Sequence, residues 1–220
     1  MALTLAVFDL DHTLLTDDSD YLWGVYLAQA GLVDGAAYQA GNASFYAAYQ
    51  AGELDIRAFL RFSLAPLRDL PLAELLVHRQ RFVTQHIAPC VAPHARGVIA
   101  EHRAAGHLPL IITATNRFVT APIAALLGVG VLLATDPVMA GGRFTGEAME
   151  PPCFRAGKLE LLWRWQQRHG CTGARRVCYS DSANDLPLLQ SAECAVAVDA
   201  DATLDAHAAR VSHVRWMMGA

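Results

Sequence analysis

Leu3-Thr4-Leu5-Ala6-Val7-Phe8-Asp9-Leu10-Asp11-His12-Thr13 is the stretch on which the fold turns. Its apolar run is short and does not alternate with polar residues. It therefore reads as a strand over Leu3–Leu10 buried on both faces, as the strands of parallel sheets are. Working outward, Pro89 and Pro93 mark a boundary, and beyond them the pattern alternates. A helix over His94–Ala105 stops at Gly106, and a strand follows over Leu108–Thr113. A helix from about Asn116 to Leu127 leads to a strand over Val131–Thr135. Gly141-Gly142 sits between extended segments in Val138–Ala148 and predicts a hairpin. A helix over Lys158–His169, a strand over Arg176–Ser180, a short helix near Asn184 and a strand over Cys194–Val198 complete the series. Such alternation predicts the α/β class, with a Rossmann-like open parallel sheet. Ser19 to His86 differs, being helical throughout. It is broken at Gly31, Gly52 and Pro66, with Asp34, Asp55 and Asp69 as candidate caps. Residues 16–89 thus read as a helical insertion into an α/β core made of residues 1–15 and 90–220.

The 220 residues are 54% hydrophobic and 17% charged, which excludes a disordered chain and allows one core plus a modest insertion. A net charge of −4 argues against a nucleic-acid partner. Met1–Leu10 has no basic n-region, so no signal peptide is expected. Phe118–Thr135 is uncharged, but Pro122, Gly128 and Gly130 divide it, so no membrane span is expected either. The 5 cysteines are odd in number and form no CxxC pair, which predicts reduced thiols and a cytoplasmic location. Oligomeric state is left open. Sixteen of the 17 basic residues are arginine, and the other is Lys158.

In an open α/β sheet, ligands bind beyond the carboxyl ends of the strands. The first strand there delivers Asp9, Asp11 and Thr13. The second delivers Thr113, Ala114, Thr115 and Asn116, and a later one delivers Asp181, Asn184 and Asp185. Lys158 opens the helix in between. Each has an ordinary explanation alone. A calcium loop beginning at Asp9 fails, because its sixth position is Leu14 instead of Gly and its twelfth is Asp20 instead of Glu. Asp181–Asp185 can be a helix cap, Thr113 a strand-end hydroxyl and Lys158 a solvated helix residue. His12, His86, His94, His102 and His107 show no metal-ligand spacing. Order and strand-end placement together make the joint reading the stronger one.

That joint pattern closely resembles the haloacid dehalogenase superfamily of phosphohydrolases. The family's hhhhDxDxT motif is met by Leu5–Thr13. Its apolar strand ending in a hydroxyl is met by Leu108–Thr113, its lysine by Lys158, and its acid pair after a strand by Asp181 and Asp185. The helical insertion falls where the C1 cap of the phosphoserine phosphatase-like subfamily IB belongs. Ala183-Asn184-Asp185-Leu186 also looks like that subfamily, whereas Ser180 stands where relatives often carry Gly. The resemblance implies a phosphomonoesterase working through an aspartyl-phosphate, with Mg²⁺ as cofactor and a small phosphorylated metabolite as partner. Asp9 would be the nucleophile and Asp11 the general acid and base. Thr113, the backbone at Ala114, Lys158 and Asn184 would hold phosphoryl oxygens. Asp9, the Asp11 carbonyl and Asp181 would hold the metal, with Asp185 orienting metal-bound water or Lys158.

For substrate choice, the resemblance places Asp18 against a substrate ammonium. It places Ser63 where phosphoserine phosphatases carry an arginine that grips a carboxylate; Arg61 is two residues away. An amine contact without a carboxylate clamp suits an amine-bearing ester such as histidinol phosphate, with Tyr21, Trp23 and Tyr26 available to stack an imidazole. Packing within the insertion is the ordinary role for those rings. Alternatives are a phosphoserine phosphatase, a phosphotransferase or a phosphonate-cleaving enzyme on the same scaffold. A response-regulator receiver, whose phosphorylated Asp ends a later strand, and a non-catalytic binding module fit less well.

Overall fold

The computed structural model describes residues 3–207; residues 208–220, which the sequence places in the α/β core, lie outside the described residues. The chain begins with β1 (Thr4–Phe8). Helices α1 (Ser19–Gln29), α2 (Gly35–Gln50), α3 (Ile56–Ser63), α4 (Ala65–Asp69) and α5 (Leu72–Phe82) follow. Next come α6 (Ala95–Ala104), β2 (Leu108–Asn116), α7 (Arg117–Leu126), β3 (Val131–Thr135) and the hairpin β4 (Pro137–Ala140) and β5 (Arg143–Ala148). Then α8 (Ala156–Arg168), β6 (Arg175–Ser180), α9 (Leu186–Gln190), β7 (Cys194–Ala197) and α10 (Ala202–His207) complete the described chain.

β1 is the middle strand of a parallel five-stranded sheet ordered β3-β2-β1-β6-β7. Its central position follows from its sequence: Leu5 to Phe8 are all fully buried, and successive side chains serve opposite faces. Ala6, Phe8 and Leu10 join one core cluster, whereas Leu5 and Val7 join the other. The flanking strands obey the same rule, with Ile111 and Tyr179 on the first side and Leu110, Ile112 and Cys178 on the second. The register pairs Phe8 with both Ile111 and Tyr179, so the carboxyl ends of β1, β2 and β6 stand side by side.

β2 runs beyond the expected end at Thr113, reaching Asn116 through a register irregularity against β3. The extension is held because Thr115 and Asn116 are buried, and the Asn116 side chain then caps α7 by accepting from the Val119 amide. Phe118–Thr135, uncharged in sequence, is α7 plus β3, and no helix among the described residues is long and apolar enough to cross a membrane.

The helical insertion is tied at its stem. Leu15 bridges Val91, the Thr16 amide donates to the Cys90 carbonyl, and the Ala92 amide donates to that of Leu14. α1 and α2 pack closely because residue 24 is glycine, where a Cβ would stand 2.6 Å from Asn42 Nδ2. Of the expected caps, Asp55 accepts from the amides of Arg57 and Ala58. Asp34 makes no side-chain cap bond, and Asp69 pairs with Arg68 instead. Pro66 sits in the first turn of α4, where its missing N–H costs nothing, and the break it marks falls at Leu64, between α3 and α4. All five cysteines are free thiols.

Candidate active site

The site forms where β1 ends. The Asp9 amide donates to the Tyr179 carbonyl at 2.9 Å, carrying β1 pairing one residue further and fixing Asp9 abreast of the end of β6. The chain then turns: the amides of Thr13, Leu14 and Leu15 all reach the Leu10 carbonyl, and His12 takes a left-handed φ of 54°. This turn swings Asp11 toward β2. Its Oδ1 accepts from the Ser19 amide at 2.7 Å, and its Oδ2 accepts from Thr115 Oγ1 at 2.9 Å and, more weakly, from Thr113 Oγ1 at 3.5 Å. Thr113 Oγ1 itself accepts from the Thr115 amide. Thr115 is thus the firmer partner of Asp11, a role the sequence reading gave to no residue.

Lys158 enters from the first turn of α8. Its ammonium donates to Asp9 Oδ1 at 2.9 Å and to Asp185 Oδ2 at 2.7 Å, and Ser180 Oγ donates to the same Asp185 oxygen at 2.8 Å. All of these side chains are buried. Burial would lower the lysine pKa, but Asp185 and Asp9 together hold it well above its ordinary value. Burial raises Asp9 well above the usual carboxylate range; Lys158 opposes the rise, and Asp185 and Asp181 add to it. Asp181, held by Thr13 Oγ1 at 3.2 Å, is pushed up to about 7 by burial and by Asp185.

Asp185 and Asn184, expected beside the metal and the phosphate, each have protein partners. Asp185 Oδ2 accepts from both Lys158 and Ser180, so this carboxylate anchors the lysine. Asn184 does not face the cavity: its Oδ1 accepts from Arg155 Nε at 3.0 Å and its Nδ2 donates to Ser182 Oγ. Arg155, at a left-handed φ of 49°, also donates to the Gly52 carbonyl, so one guanidinium joins this loop to the helical insertion.

A cavity of about 50 Å³ opens between the strand ends and the insertion. Asp9, Asp11, Thr113, Ala114, Thr115 and Lys158 form its floor. Asp18, Asp20, Tyr21, Asn42, Phe45, Tyr46, Tyr49 and Phe59 are among its other lining residues. Tyr49 reaches toward the floor, where burial and the charges of Asp9 and Asp181 raise its phenol well above its usual value. Tyr46 stacks near Tyr21 at 4.8 Å and shares a 3.3 Å hydrogen bond with His12, giving that histidine a contact its sequence position did not announce.

The expected substrate residues divide. Asp18 lines the cavity, but its Oδ1 caps α1, accepting from the amides of Asp20 and Tyr21. Trp23 does not reach the cavity. It is 1% exposed and packs against Tyr26, Phe82 and Phe118, because α1 turns that face toward the main core. Tyr26 packs there too and bonds His78. Arg61 is exposed on α3 and away from the cavity, and Ser63 is buried but likewise off its lining.

The oxygen donors fit a hard divalent cation. Asp9 and Asp181 face each other's charge in a buried setting, and Lys158 is already shared between Asp9 and Asp185. An Mg²⁺ ion bound here would relieve that repulsion with few protein carboxylates. Among the described residues no three His, Cys, Asp or Glu side chains converge. Two carboxylates with a main-chain carbonyl are consistent with this.

A family model described as haloacid dehalogenase-like hydrolase matches residues 6–190. A histidinol-phosphatase of Neisseria meningitidis is 40% identical over 208 residues, spanning 93% of this chain and 94% of that protein. A phosphoserine phosphatase of Mycobacterium tuberculosis is 30% identical over 202 residues, 90% of this chain and 66% of its own length. A crystal structure of a Bordetella pertussis protein of unknown function superposes with a TM-score of 0.91 at 39% identity, covering 97% of this chain and 99% of that one. A phosphoserine phosphatase solved as a phospho-aspartyl intermediate analogue shares the fold, with a TM-score of 0.70 at 19% identity over 97% of this chain and 93% of its own. Family phosphatases generally use Mg²⁺ and act on small phosphorylated metabolites. With the parallel sheet and the strand-end acids already in place, these relations make the chain a member of the haloacid dehalogenase-like hydrolases, and within them a phosphatase.

Proposed function

We propose that the enzyme hydrolyses a small phosphomonoester carrying a cationic nitrogen and no carboxylate, with histidinol phosphate the best match. The lining of the cavity carries this reading. Beyond the floor it combines two carboxylates, the half-buried Asp18 and the buried Asp20, with five aromatic rings (Tyr21, Phe45, Tyr46, Tyr49, Phe59), and Lys158 on the floor is the one cation among the described residues that line it. A protonated amine or an imidazole finds counter-charge and ring faces there. The carboxylate of phosphoserine finds no arginine among the described residues of that lining. The name of the Neisseria relative points to the same substrate. The helical insertion acts as the cap over residues 1–15 and 90–207 of the core. The free thiols suit a reducing compartment, the cytoplasm.

Chemistry follows from the floor. Lys158 holds one oxygen of Asp9 and leaves the other to attack phosphorus, forming an aspartyl-phosphate as the ester P–O bond breaks. Asp11, held by Ser19 and Thr115, gives its proton to the departing alcohol. It then takes a proton from the water that attacks the phosphorus, which frees Asp9 and releases phosphate. The Thr113–Thr115 backbone, leading into α7, receives phosphoryl oxygens. Asp9, Asp181 and the Asp11 carbonyl would hold Mg²⁺, whose charge neutralises the carboxylates and the phosphoryl group when bound.

A panel of phosphomonoesters with and without Mg²⁺ tests this. Histidinol phosphate should give the highest kcat/KM and release inorganic phosphate without an acceptor alcohol. Preference for phosphoserine, transfer to an alcohol, or indifference to a chelator would each overturn its part of the reading.

A further inference from the structure

The geometry points to Asp20 as the residue that selects the substrate's cationic nitrogen, and so as the determinant that separates amine-bearing esters from neutral or carboxylate-bearing ones. This deepens the substrate reading above and rests on it. Asp18 is the sequence's candidate for that role, but it spends Oδ1 on the α1 amides of Asp20 and Tyr21, at 2.9 and 2.8 Å. Asp20 stands in the first turn of the same helix with only 8% of its surface exposed. It lines the cavity, and among the described residues its carboxylate accepts no hydrogen bond and joins no ion pair.

A carboxylate buried without a partner is costly: it keeps its proton, or something that binds beside it pairs its charge. Burial pushes it up to about 7, with Asp11 adding to the rise. The Tyr21 and Tyr46 rings, 4.8 Å apart, line the same cavity and offer faces to a cation. Lys158 lies on the floor, so the cavity is polarised: positive charge where phosphate sits, negative charge where the rest of the substrate lies. An ester with phosphate on one side and a protonated amine or imidazolium on the other matches that polarity, and a carboxylate beside Asp20 is repelled.

The test compares Asp20→Asn and Asp18→Asn with the parent enzyme, loaded with Mg²⁺. Histidinol phosphate, ethanolamine phosphate and p-nitrophenyl phosphate serve as substrates, and L-histidinol binding is followed by calorimetry. Asp20→Asn should lower the kcat/KM ratio of the preferred amine-bearing ester to p-nitrophenyl phosphate by roughly tenfold or more, mainly through KM. It should also abolish measurable L-histidinol binding, while Asp18→Asn lowers the ratio less. If the parent prefers histidinol phosphate but the ratio and binding survive Asp20→Asn, the assignment to Asp20 fails and the substrate reading stands. If the parent prefers ethanolamine phosphate and Asp20→Asn collapses that preference, the histidinol reading fails and Asp20 keeps its role. A parent enzyme with no preference for amines overturns both.

Discussion

Replacing Asp20 by asparagine should make the protein more stable, and increasingly so as the pH rises. Burial, then the charge of Asp11, pushes the Asp20 carboxyl from an ordinary value of 3.8 up to about 7. At about 1.4 kcal/mol per pH unit, that difference is worth about 4 kcal/mol. The folded protein keeps this proton until about pH 7, whereas the unfolded chain releases it near 3.8. The associated stability is therefore complete below 3.8 and lost as the pH rises through 7. Asparagine has the same shape and no proton to lose. The advantage of Asp20→Asn over the parent should grow by about 2–3 kcal/mol from about pH 5 to about pH 8. For a chain of this size that is roughly 4–12 °C in melting temperature. Thermal unfolding followed by circular dichroism, in chelator-treated buffer at both pH values, measures it. An advantage that stays flat or shrinks as the pH rises would refute the claim that Asp20 is buried without compensation.

Other substitutions probe the floor. Lys158→Met leaves Asp9 and Asp185 unpaired in a buried setting, so denaturant titration should show a loss of about 3–5 kcal/mol. Its kcat should fall by about 10²-fold or more, and near-normal turnover would remove the lysine from the chemistry. Gly157→Ala places a Cβ 2.0 Å from the Pro152 carbonyl oxygen, and that rigid contact must displace the start of α8 and Lys158 with it. A stability loss of about 1–3 kcal/mol together with reduced kcat is expected, and an unchanged protein would contradict the close approach. Asp9→Asn should keep its circular dichroism spectrum and lose both turnover and the phosphorylated enzyme trapped by acid quench; an active variant would end the nucleophile assignment.

Much of the sheet is legible because its strands carry unmixed apolar runs ending in polar residues. Leu5–Phe8 reads as a strand buried on both sides, which puts the acids that follow it at the sheet's edge. Lys158 stood out because it is the lone lysine among arginines. The insertion was harder to read. Its helices bury aromatic residues on several faces, so sequence cannot say which ring sees the cavity: Trp23 was a candidate and lies in the core, whereas Phe45, Tyr49 and Phe59 line the site. Asp18 and Asp20 are equivalent as letters. Only the cap geometry of α1 reveals that one is committed to backbone amides and the other is not. The Asn184–Arg155 contact was unreadable for a similar reason, since Arg155 sits 29 residues away and takes a backbone conformation that no pattern announces. Thr115 was named at the strand end, but its bond to Asp11 was not foreseen because β2 was expected to stop two residues earlier.

The 2.7 Å bond from the Ser19 amide to Asp11 ties the proposed proton donor to the first residue of α1, the helix that also bears Asp20. A displacement of that helix by about an ångström would stretch the bond beyond hydrogen-bonding range. An ester that fails to seat against α1 is then penalised twice, once in residence time and again in how readily its alcohol is protonated. Discrimination in this enzyme should accordingly surface in the rate of the chemical step as well as in occupancy.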